Sequence, residues 1–348
     1  MADRIGVAII GSGIIVKDSH LPTILTNPHL TLKALFSRTL ASAQSLTKDL
    51  PDKIDLYSQD SSPSNTYADL LARSDIRTVI IALPIPVQVD FIKQALTAGK
   101  HVLAEKPLAK DVATSVELLE WYRSNIDTSK VLLGIAENWR FTNVFAKAAE
   151  EVKRFGKIQA FNARVHFYLP PGEKHTTTEW RKTPEFQGGF LLDSGVHLVA
   201  VLRKVLGNGQ GQVRRVSAFT TSLAEHLPPV DTVAATLQLE NGSAGTVSIS
   251  FGSTFFDGEW SVACEGGTVS ANAFTSELKM KPLGGDEKVS SVPDAQHNVS
   301  QEVAAWVKSI QSGEVESRLR PEEALADVEI IEAMLNSGGS PVELKYQI

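Results

Sequence analysis

The chain has 348 residues, of which 43% are apolar and 21% are charged, a composition typical of a soluble globular protein with two domains. Its net charge of -6 gives no electrostatic basis for nucleic acid or an anionic membrane as the main partner. The single cysteine, Cys264, excludes an intrachain disulfide and a cysteine-cluster metal site.

Neither end of the sequence carries a recognisable targeting signal. The apolar run 5–16 is short and broken by three glycines, which is typical of a strand and a turn rather than a signal peptide or a membrane span. The last three residues, Tyr346-Gln347-Ile348, are not a peroxisomal address. Together with the lone cysteine, these features lead us to expect a cytoplasmic protein.

The first predicted strand, Arg4 to Ile10, leads directly into a turn that contains two glycines. In Gly11-Ser12-Gly13 the first glycine permits a tight turn, and the second lets the backbone approach a pyrophosphate. The amides at the start of the next helix would bind the phosphates. Val16 stands where the dinucleotide-binding fingerprint has a third glycine or alanine, so we expect helix and strand to pack less closely there.

The second predicted strand, Thr31 to Phe36, ends at Ser37-Arg38-Thr39. A site that prefers NAD usually has an acidic residue here to bind the ribose 2′-hydroxyl, and this chain has none. Arg38, with Ser37 and Thr39, suits a 2′-phosphate instead, so we expect NADP. The alternative is a solvated arginine near the start of a helix.

Two later strands deliver further residues to the same edge of the predicted sheet. The strand 78–83 is followed by Pro84, and the strand 101–104 is followed by Glu105-Lys106-Pro107. Lys106 could stabilise alkoxide charge that develops on a substrate, or it could be a solvated lysine at the end of a strand. The alternation of strands and helices predicts an α/β fold with a doubly wound parallel sheet.

The segment Gly188 to His197 contains the second candidate group. If it is helical, Asp193 and His197 lie four residues apart on one helical face. A carboxylate beside an imidazole is typical of an oriented general base, although the same spacing also occurs in structural polar pairs. The sequence has no His-Glu-x-x-His motif and no paired cysteines, so we predict no metal.

The rest of the second half predicts a large sheet with flanking helices. Apolar residues alternate with polar ones along 157–169, which indicates a strand with one buried face. A long polar segment, 170–187, follows. Asn241-Gly242, between two alternating runs, predicts a hairpin. Helices are predicted at about 143–154, 299–311 and 321–336.

Three of these motifs together resemble the Gfo/Idh/MocA oxidoreductase family: Gly11-Ser12-Gly13, Glu105-Lys106-Pro107, and the segment 188–197. The resemblance extends over essentially the whole chain, and the segments 136–141 and 177–181 are similar to a fungal NADP-dependent branch. It implies an N-terminal NADP-binding Rossmann domain, residues 1–138. It also implies a C-terminal α+β domain, residues 139–348, whose large, mostly antiparallel sheet serves substrate binding and oligomerisation.

The resemblance also implies roles for individual residues. Lys106 matches the catalytic lysine of the family, Asp193 the aspartate that orients substrate and imidazole, and His197 the histidine that transfers a proton. This sequence departs from the family at Gln88, where many members have histidine, and at Ala200, where many have aspartate.

The predicted binding residues form two groups. At the cofactor we expect Gly11, Ser12, Gly13, Ile14, Ile15, Ser37, Arg38, Thr39, Leu83, Pro84, Glu105 and Lys106. At the substrate we expect Asn138, Arg140, His175, Trp180 and Arg181. Arg140 is also consistent with a structural ion pair, and Trp180 with an anchor for a surface loop.

The sequence therefore predicts an NADP-dependent oxidoreductase that acts on a sugar, a polyol or a related small carbonyl or alcohol. By resemblance we expect a homodimer or a higher homo-oligomer through the C-terminal sheet. Two alternatives stay open. One is a non-catalytic, dinucleotide-binding regulatory protein of the same fold. The other is redox-assisted elimination or hydrolysis in which NAD(P) is recycled.

Overall fold

A computed structural model describes residues 4–50, 52–207, 211–294 and 298–348. The chain divides into two compact units, each with its own sheet. The first unit extends to Ala109 and adds Ala113–Ala136 and Val299–Pro321, and the second comprises Lys110–Val112, Glu137–Asn298 and Glu322–Ile348. The first unit thus includes a late segment that lies beyond our expected domain boundary after residue 138. That boundary stays a prediction about independently folding domains.

The strands fall into two sheets. Those of the first sheet are β1 (Ile5–Ile10), β2 (Leu30–Ser37), β3 (Asp55–Ser58), β4 (Thr78–Ile81), β5 (His101–Glu105) and β6 (Leu133–Ala136). Those of the second are β7 (Ile158–His166), β8 (Val213–Thr221), β9 (Thr232–Leu239), β10 (Ala244–Ser250), β11 (Asp257–Cys264), β12 (Gly267–Asn272), β13 (Glu277–Pro282), β14 (Lys288–Ser291) and β15 (Val342–Glu343).

The helices alternate with the strands in the first half of the chain and cluster in the second. They are α1 (Leu21–Thr26), α2 (Leu40–Thr47), α3 (Tyr67–Leu71), α4 (Ile85–Thr97), α5 (Val112–Asn125), α6 (Asn143–Phe155), α7 (Glu179–Lys182), α8 (Phe190–Asp193), α9 (Gly195–Leu206), α10 (Asn298–Ser312) and α11 (Pro321–Asn336).

The first sheet has the doubly wound order β3-β2-β1-β4-β5-β6, and all its strand pairs are parallel. Every residue of β1 is buried, as a continuous apolar run in a parallel sheet requires. Ile10, at the end of β1, lies between Phe36 of β2 and Ile81 of β4. The register therefore places the loops that follow these strands side by side at one edge, and the predicted α/β fold class is confirmed.

A late helix, α10, completes the first unit by packing against its sheet. Trp306 on α10 is fully buried, and its indole N–H donates a hydrogen bond to Thr78 Oγ1 at 3.0 Å. Gly134 on β6 provides the space, because a Cβ atom at this position would lie 2.9 Å from the Trp306 ring. The sequence pattern predicted this helix but not the unit to which it belongs.

Within the described residues, the second sheet has nine strands in the order β14-β13-β12-β11-β7-β10-β9-β8-β15. Among these strands β7 and β10 pair in parallel and the other pairs are antiparallel, so the sheet is mixed but mostly antiparallel. The predicted alternation in β7 is confirmed from Phe161 to Val165, since Phe161, Ala163 and Val165 are buried while Asn162 and Arg164 are exposed. His166, which the alternation placed with the exposed residues, is buried. The Asn241-Gly242 turn joins β9 to β10, with Gly242 at a φ of 86°.

Helices α6 and α9 cover one face of the second sheet. Trp260 on β11 is buried beneath them, packs edge-on against Phe145 of α6 at 4.8 Å between ring centroids, and donates a hydrogen bond to the carbonyl of Leu198 on α9. A tryptophan that is both packed and hydrogen-bonded fixes the two helices against the sheet. This unit therefore holds the start of α9 in a defined position.

Two features of the described ranges concern membranes and metal ions. None of the helices there combines the length and apolar character needed to cross a membrane. The same residues contain no group of three histidine, cysteine or acidic side chains arranged to hold a metal ion.

His101, at the start of β5, allows a test of how the stability of the first unit depends on pH. Its Nδ1 accepts a hydrogen bond from the backbone N–H of Leu132 at 3.2 Å, which requires that nitrogen to be unprotonated. Burial, reinforced by the nearby Arg77, lowers the pKa of His101. In the unfolded chain this histidine has its ordinary pKa of about 6.5. The free energy of unfolding should therefore fall as the pH drops from about 6.5 through the lowered pKa of the folded state.

We expect urea denaturation to show a smaller loss of stability between about pH 7 and about pH 5.5 in His101→Asn than in the wild type. One linked proton changes the free energy of unfolding by at most about 1.4 kcal/mol per pH unit. Equal pH dependence in the two proteins would show that His101 is not a source of the effect.

Candidate active site

The glycine turn lies at the carboxyl edge of the first sheet and is fixed by backbone contacts. Gly11 has a φ of 122°, and its N–H donates to the carbonyl of Phe36 at 2.8 Å. A Cβ atom on Gly11 would lie 2.2 Å from the carbonyl oxygen of Ala82, so only glycine fits. A Cβ atom on Gly13, by contrast, would project into open space. A side chain therefore has no space at Gly11, whereas the space beside Gly13 is free of other protein atoms.

The loop after β2 lies beside this turn. Ser12 Oγ and Ser37 Oγ are hydrogen-bonded at 2.7 Å, and Thr39 caps α2 by accepting from the N–H of Ser42. Arg38 is exposed and has no ion pair or hydrogen bond with the described part of the chain. Its guanidinium is therefore available to an anionic group of a ligand at this edge.

The other predicted cofactor residues border the same edge. Ile14 and Ile15 begin the helical turn after Gly13, and Leu83 and Pro84 form the loop between β4 and α4. Val16, at the third position of the fingerprint, is fully buried and starts a π-helical turn, Val16–His20. The widened turn accommodates a side chain where the fingerprint has a small residue.

Glu105-Lys106-Pro107 is held on both sides of the lysine. The buried His20, which ends the π-helical turn, donates from Nε2 to Glu105 Oε1 at 2.7 Å. Gln88 donates to the carbonyl of Glu105 at 2.6 Å and to that of Pro107 at 3.1 Å. Gln88 therefore anchors the backbone that carries Lys106.

These features fit a dinucleotide. Open space at Gly13 lets a pyrophosphate approach the backbone, and the adjacent loop offers the hydroxyls of Ser12 and Ser37 and the charge of Arg38. Lys106 follows β5, at the same carboxyl edge as Gly11 and Ser37. The arrangement can thus bind a nucleotide and place a cation near the end of the sheet.

In the second unit, the predicted face that carries both Asp193 and His197 is interrupted. Helix α8 ends at Asp193 and α9 begins at Gly195, with Ser194 at φ -109° between them. The N–H of His197 bonds to the carbonyl of Ser194, a tighter turn than an α-helix makes. The condition of one continuous helix is therefore not met, because α8 and α9 are separated at Ser194.

Asp193 is buried and forms an ion pair with Arg181. Arg181 Nε donates to Asp193 Oδ2 at 2.7 Å, and the guanidinium stacks on the Trp180 ring at 4.1 Å. Part of the half-buried Trp180 ring surface is therefore occupied by Arg181. The polar segment 170–187 is tied to α8 through this pair.

His197 is hydrogen-bonded to Glu137 instead of the expected Asp193. The distance from His197 Nδ1 to Glu137 Oε1 is 2.6 Å, and the Glu137 side chain is only 1% exposed. Trp139 stacks on the imidazole, with ring centroids 5.6 Å apart and an angle of 18° between the planes. The imidazole is thus held at one nitrogen and on one face, an arrangement that suits proton transfer.

Arg140 has a structural position rather than the predicted contact with substrate. It is buried and forms an ion pair with Asp327, which also accepts from Arg203 at 2.8 Å. Burial lowers the pKa of Arg203, but the fields of Asp327 and Glu323 outweigh that effect and raise it overall. This network fixes the turn after Glu137 against α9 and α11.

The other predicted substrate residues, Asn138 and His175, also belong to the second unit. Asn138 donates to Asn298 Oδ1 at 3.0 Å. His175 is half-buried; burial, partly opposed by Glu173, lowers the pKa of this histidine and favours the neutral form. Both residues stay predictions as ligands of a substrate.

Sequence reasoning missed Glu137 and His20. Glu137 follows the last strand of the first sheet directly, and this acidic residue at the end of a buried strand was the available signal. His20 had no comparable signal, because its position depends on the π-helical turn.

Comparison with known proteins gives the family. The profile "Oxidoreductase family, NAD-binding Rossmann fold" matches residues 5–131, and "GFO/IDH/MocA C-terminal domain" matches residues 145–270. Dehydrogenase FPY6 of Fusarium mangiferae is 37% identical over 346 residues, which cover 98% of each chain. The chain belongs to the GFO/IDH/MocA oxidoreductase family. The resemblance found in the sequence is therefore confirmed.

Two further members are similar over nearly their whole length. D-xylose 1-dehydrogenase (NADP(+)) 2 of Haloferax volcanii is 27% identical, over 97% of this chain and 98% of its own. The crystal structure of an oxidoreductase from Thermotoga maritima superposes with a TM-score of 0.86 at 27% identity, over 98% of each chain. Both units described above thus belong to the family architecture.

The two glycines of the turn make a matched test. Gly11→Ala should lower the free energy of unfolding by about 1–3 kcal/mol, because its Cβ meets a carbonyl and its φ is positive. Gly13→Ala should leave stability within about 0.5 kcal/mol of the wild type but weaken dinucleotide binding at least about tenfold. Urea denaturation and calorimetric titration measure the two effects. If Gly13→Ala binds the dinucleotide as tightly as the wild type does, the space beside Gly13 has no role in binding.

Proposed function

We propose that this chain is an NADP-dependent oxidoreductase that transfers a hydride between nicotinamide and a sugar, a polyol or a related small carbonyl or alcohol. The observation that carries the cofactor assignment is the Ser12–Ser37 contact beside the exposed Arg38, at the end of a strand with no acidic residue. The match to the NADP-dependent D-xylose dehydrogenase of Haloferax volcanii supports both the cofactor and the substrate class.

The charges of the second unit favour a neutral substrate. Arg181 is neutralised by Asp193, and the buried Arg140 by Asp327. A phosphorylated or carboxylated ligand usually requires an arginine that has no such partner. We propose that Asp193 and Arg181, as an acceptor and a donor side by side, orient sugar hydroxyls, with Asn138, His175 and Trp180 as further contacts.

In the oxidative direction, a bound NADP⁺ would supply the hydride acceptor at the C4 atom of its nicotinamide. His197 accepts the proton of the substrate hydroxyl as the C–H bond breaks and the carbonyl forms. Lys106 donates a hydrogen bond to the same oxygen and stabilises the alkoxide charge that develops on it. Reduction follows the same steps in reverse.

Two other functions are compatible with the family. A regulatory protein would bind the dinucleotide without turnover, and a redox-assisted lyase or hydrolase would return it unchanged. A stoichiometric change in NADPH absorbance with a substrate distinguishes the proposed function from both. The proposal also includes a cytoplasmic location and a homodimer or higher homo-oligomer formed through the second sheet.

The test of the cofactor assignment is calorimetric titration with NADP⁺, NADPH, NAD⁺ and NADH. Loss of a charged hydrogen bond costs about 1.5–3 kcal/mol. Arg38→Ala should therefore weaken NADP(H) binding by about 10- to 150-fold and leave NAD(H) binding unchanged. Arg77→Ala is the matched control, because Arg77 is exposed at the opposite, amino edge of the same sheet. Equal affinity of the wild type for NAD(H) and NADP(H) would remove the assignment.

A further inference from the structure

Glu137 makes two contacts with one oxygen atom. Its Oε1 accepts from the backbone N–H of Trp139 at 3.1 Å and lies 2.6 Å from His197 Nδ1. The first contact fixes the carboxylate to the turn Asn138–Phe141, and the turn is itself fixed by the ion pair between Arg140 and Asp327. Glu137 therefore presents its oxygen to the imidazole from a rigid support.

This geometry determines which nitrogen of His197 carries the proton. A neutral imidazole has one N–H donor and one acceptor, and a carboxylate only accepts. The proton therefore lies on Nδ1 and the lone pair on Nε2. Nε2 has no hydrogen-bond partner among the described residues, and the side chain keeps 16% of its exposure. The nitrogen that can accept a proton is thus the one away from Glu137.

Trp139 restricts the ring as well. It stacks nearly parallel to the imidazole, so rotation of the ring would break both this contact and the hydrogen bond to Glu137. Positive charge that develops on His197 during proton uptake lies next to a carboxylate and over an aromatic face. Both neighbours favour the transition state for proton transfer.

We infer that Glu137 is a positioning residue that holds His197 as the Nδ1–H tautomer, so that Nε2 exchanges the proton with the substrate hydroxyl. This inference rests on the proposed function. The substrate O–H bond breaks, an N–H bond forms at Nε2, and the electron pair of the O–H bond becomes part of the carbonyl as hydride leaves for NADP⁺. No further reactant is needed.

The tautomer can be measured without any substrate. Long-range nitrogen–proton NMR correlations of the full chain, labelled with ¹⁵N-histidine, report the protonated nitrogen, and His197→Asn identifies the signal. We expect the wild-type signal to be that of Nδ1–H. Glu137→Met, whose thioether is only a weak acceptor, should lose this tautomer, whereas Glu137→Gln keeps an acceptor oxygen and should retain it. Glu150→Gln, at an exposed site on α6, is the control.

Activity gives the second readout, with D-xylose and NADP⁺ as the first probe. Glu137→Met should lower kcat by about 10²- to 10⁴-fold, the usual contribution of an oriented general base. Its calorimetric affinity for NADP⁺ should stay within about twofold of the wild type, and Glu137→Gln should be intermediate in kcat. A role confined to folding would not change the tautomer and would not be rescued by glutamine.

Two outcomes would overturn the inference. One is a wild-type His197 that carries its proton on Nε2, and the other is wild-type kcat in a Glu137→Met protein that has lost the tautomer. Failure of the proposed function has a different signature. In that case the Nδ1–H tautomer depends on Glu137 as described, but neither D-xylose nor any other aldose or polyol changes NADPH absorbance.

Discussion

The hydrogen bond between Glu137 and His197 is the constraint on which the proposed chemistry of the second unit depends. It joins the residue that follows β6 to the first turn of α9, two segments 60 positions apart in the chain. Because the carboxylate is almost fully buried, it has few alternatives to accepting from the imidazole and from the turn behind it. The ion pairs of Arg140 and Arg203 with Asp327 hold that turn and α9 in place.

In the first unit, the glycine turn at the carboxyl edge of the sheet depends on a different constraint, which is the close approach of backbone segments. The carbonyl of Ala82 leaves no space for a side chain at Gly11, and the N–H of Gly11 is bonded to β2. Together these contacts fix the turn with its open side at Gly13. Gln88 and His20 then fix the segment around Lys106 by three hydrogen bonds to its neighbours Glu105 and Pro107.

The sequence predicted the features that depend on local pattern. The parallel sheet, the alternation in β7, the hairpin at Asn241-Gly242 and the late helices all have short-range signals. The partners of charged side chains did not follow, because they depend on tertiary contacts. For Arg140 the sequence left open a contact with substrate or a structural ion pair, and it could not identify the carboxylate partner, Asp327, 187 positions away. The spacing of Asp193 and His197 was misleading, since the helix is interrupted at Ser194 and the two side chains bond to Arg181 and Glu137 respectively.

The most direct test of the proposed chemistry follows the hydride itself. Aldoses labelled with deuterium at C1 are incubated with NADP⁺ and the full chain, and the reduced cofactor is examined by NMR and mass spectrometry. The account predicts stoichiometric NADPH that carries deuterium at nicotinamide C4, formed far more slowly by His197→Asn. NADP⁺ that binds but is never reduced would contradict the account. Conversion of the sugar with no net NADPH would contradict it too, and would point to redox-neutral elimination or hydrolysis.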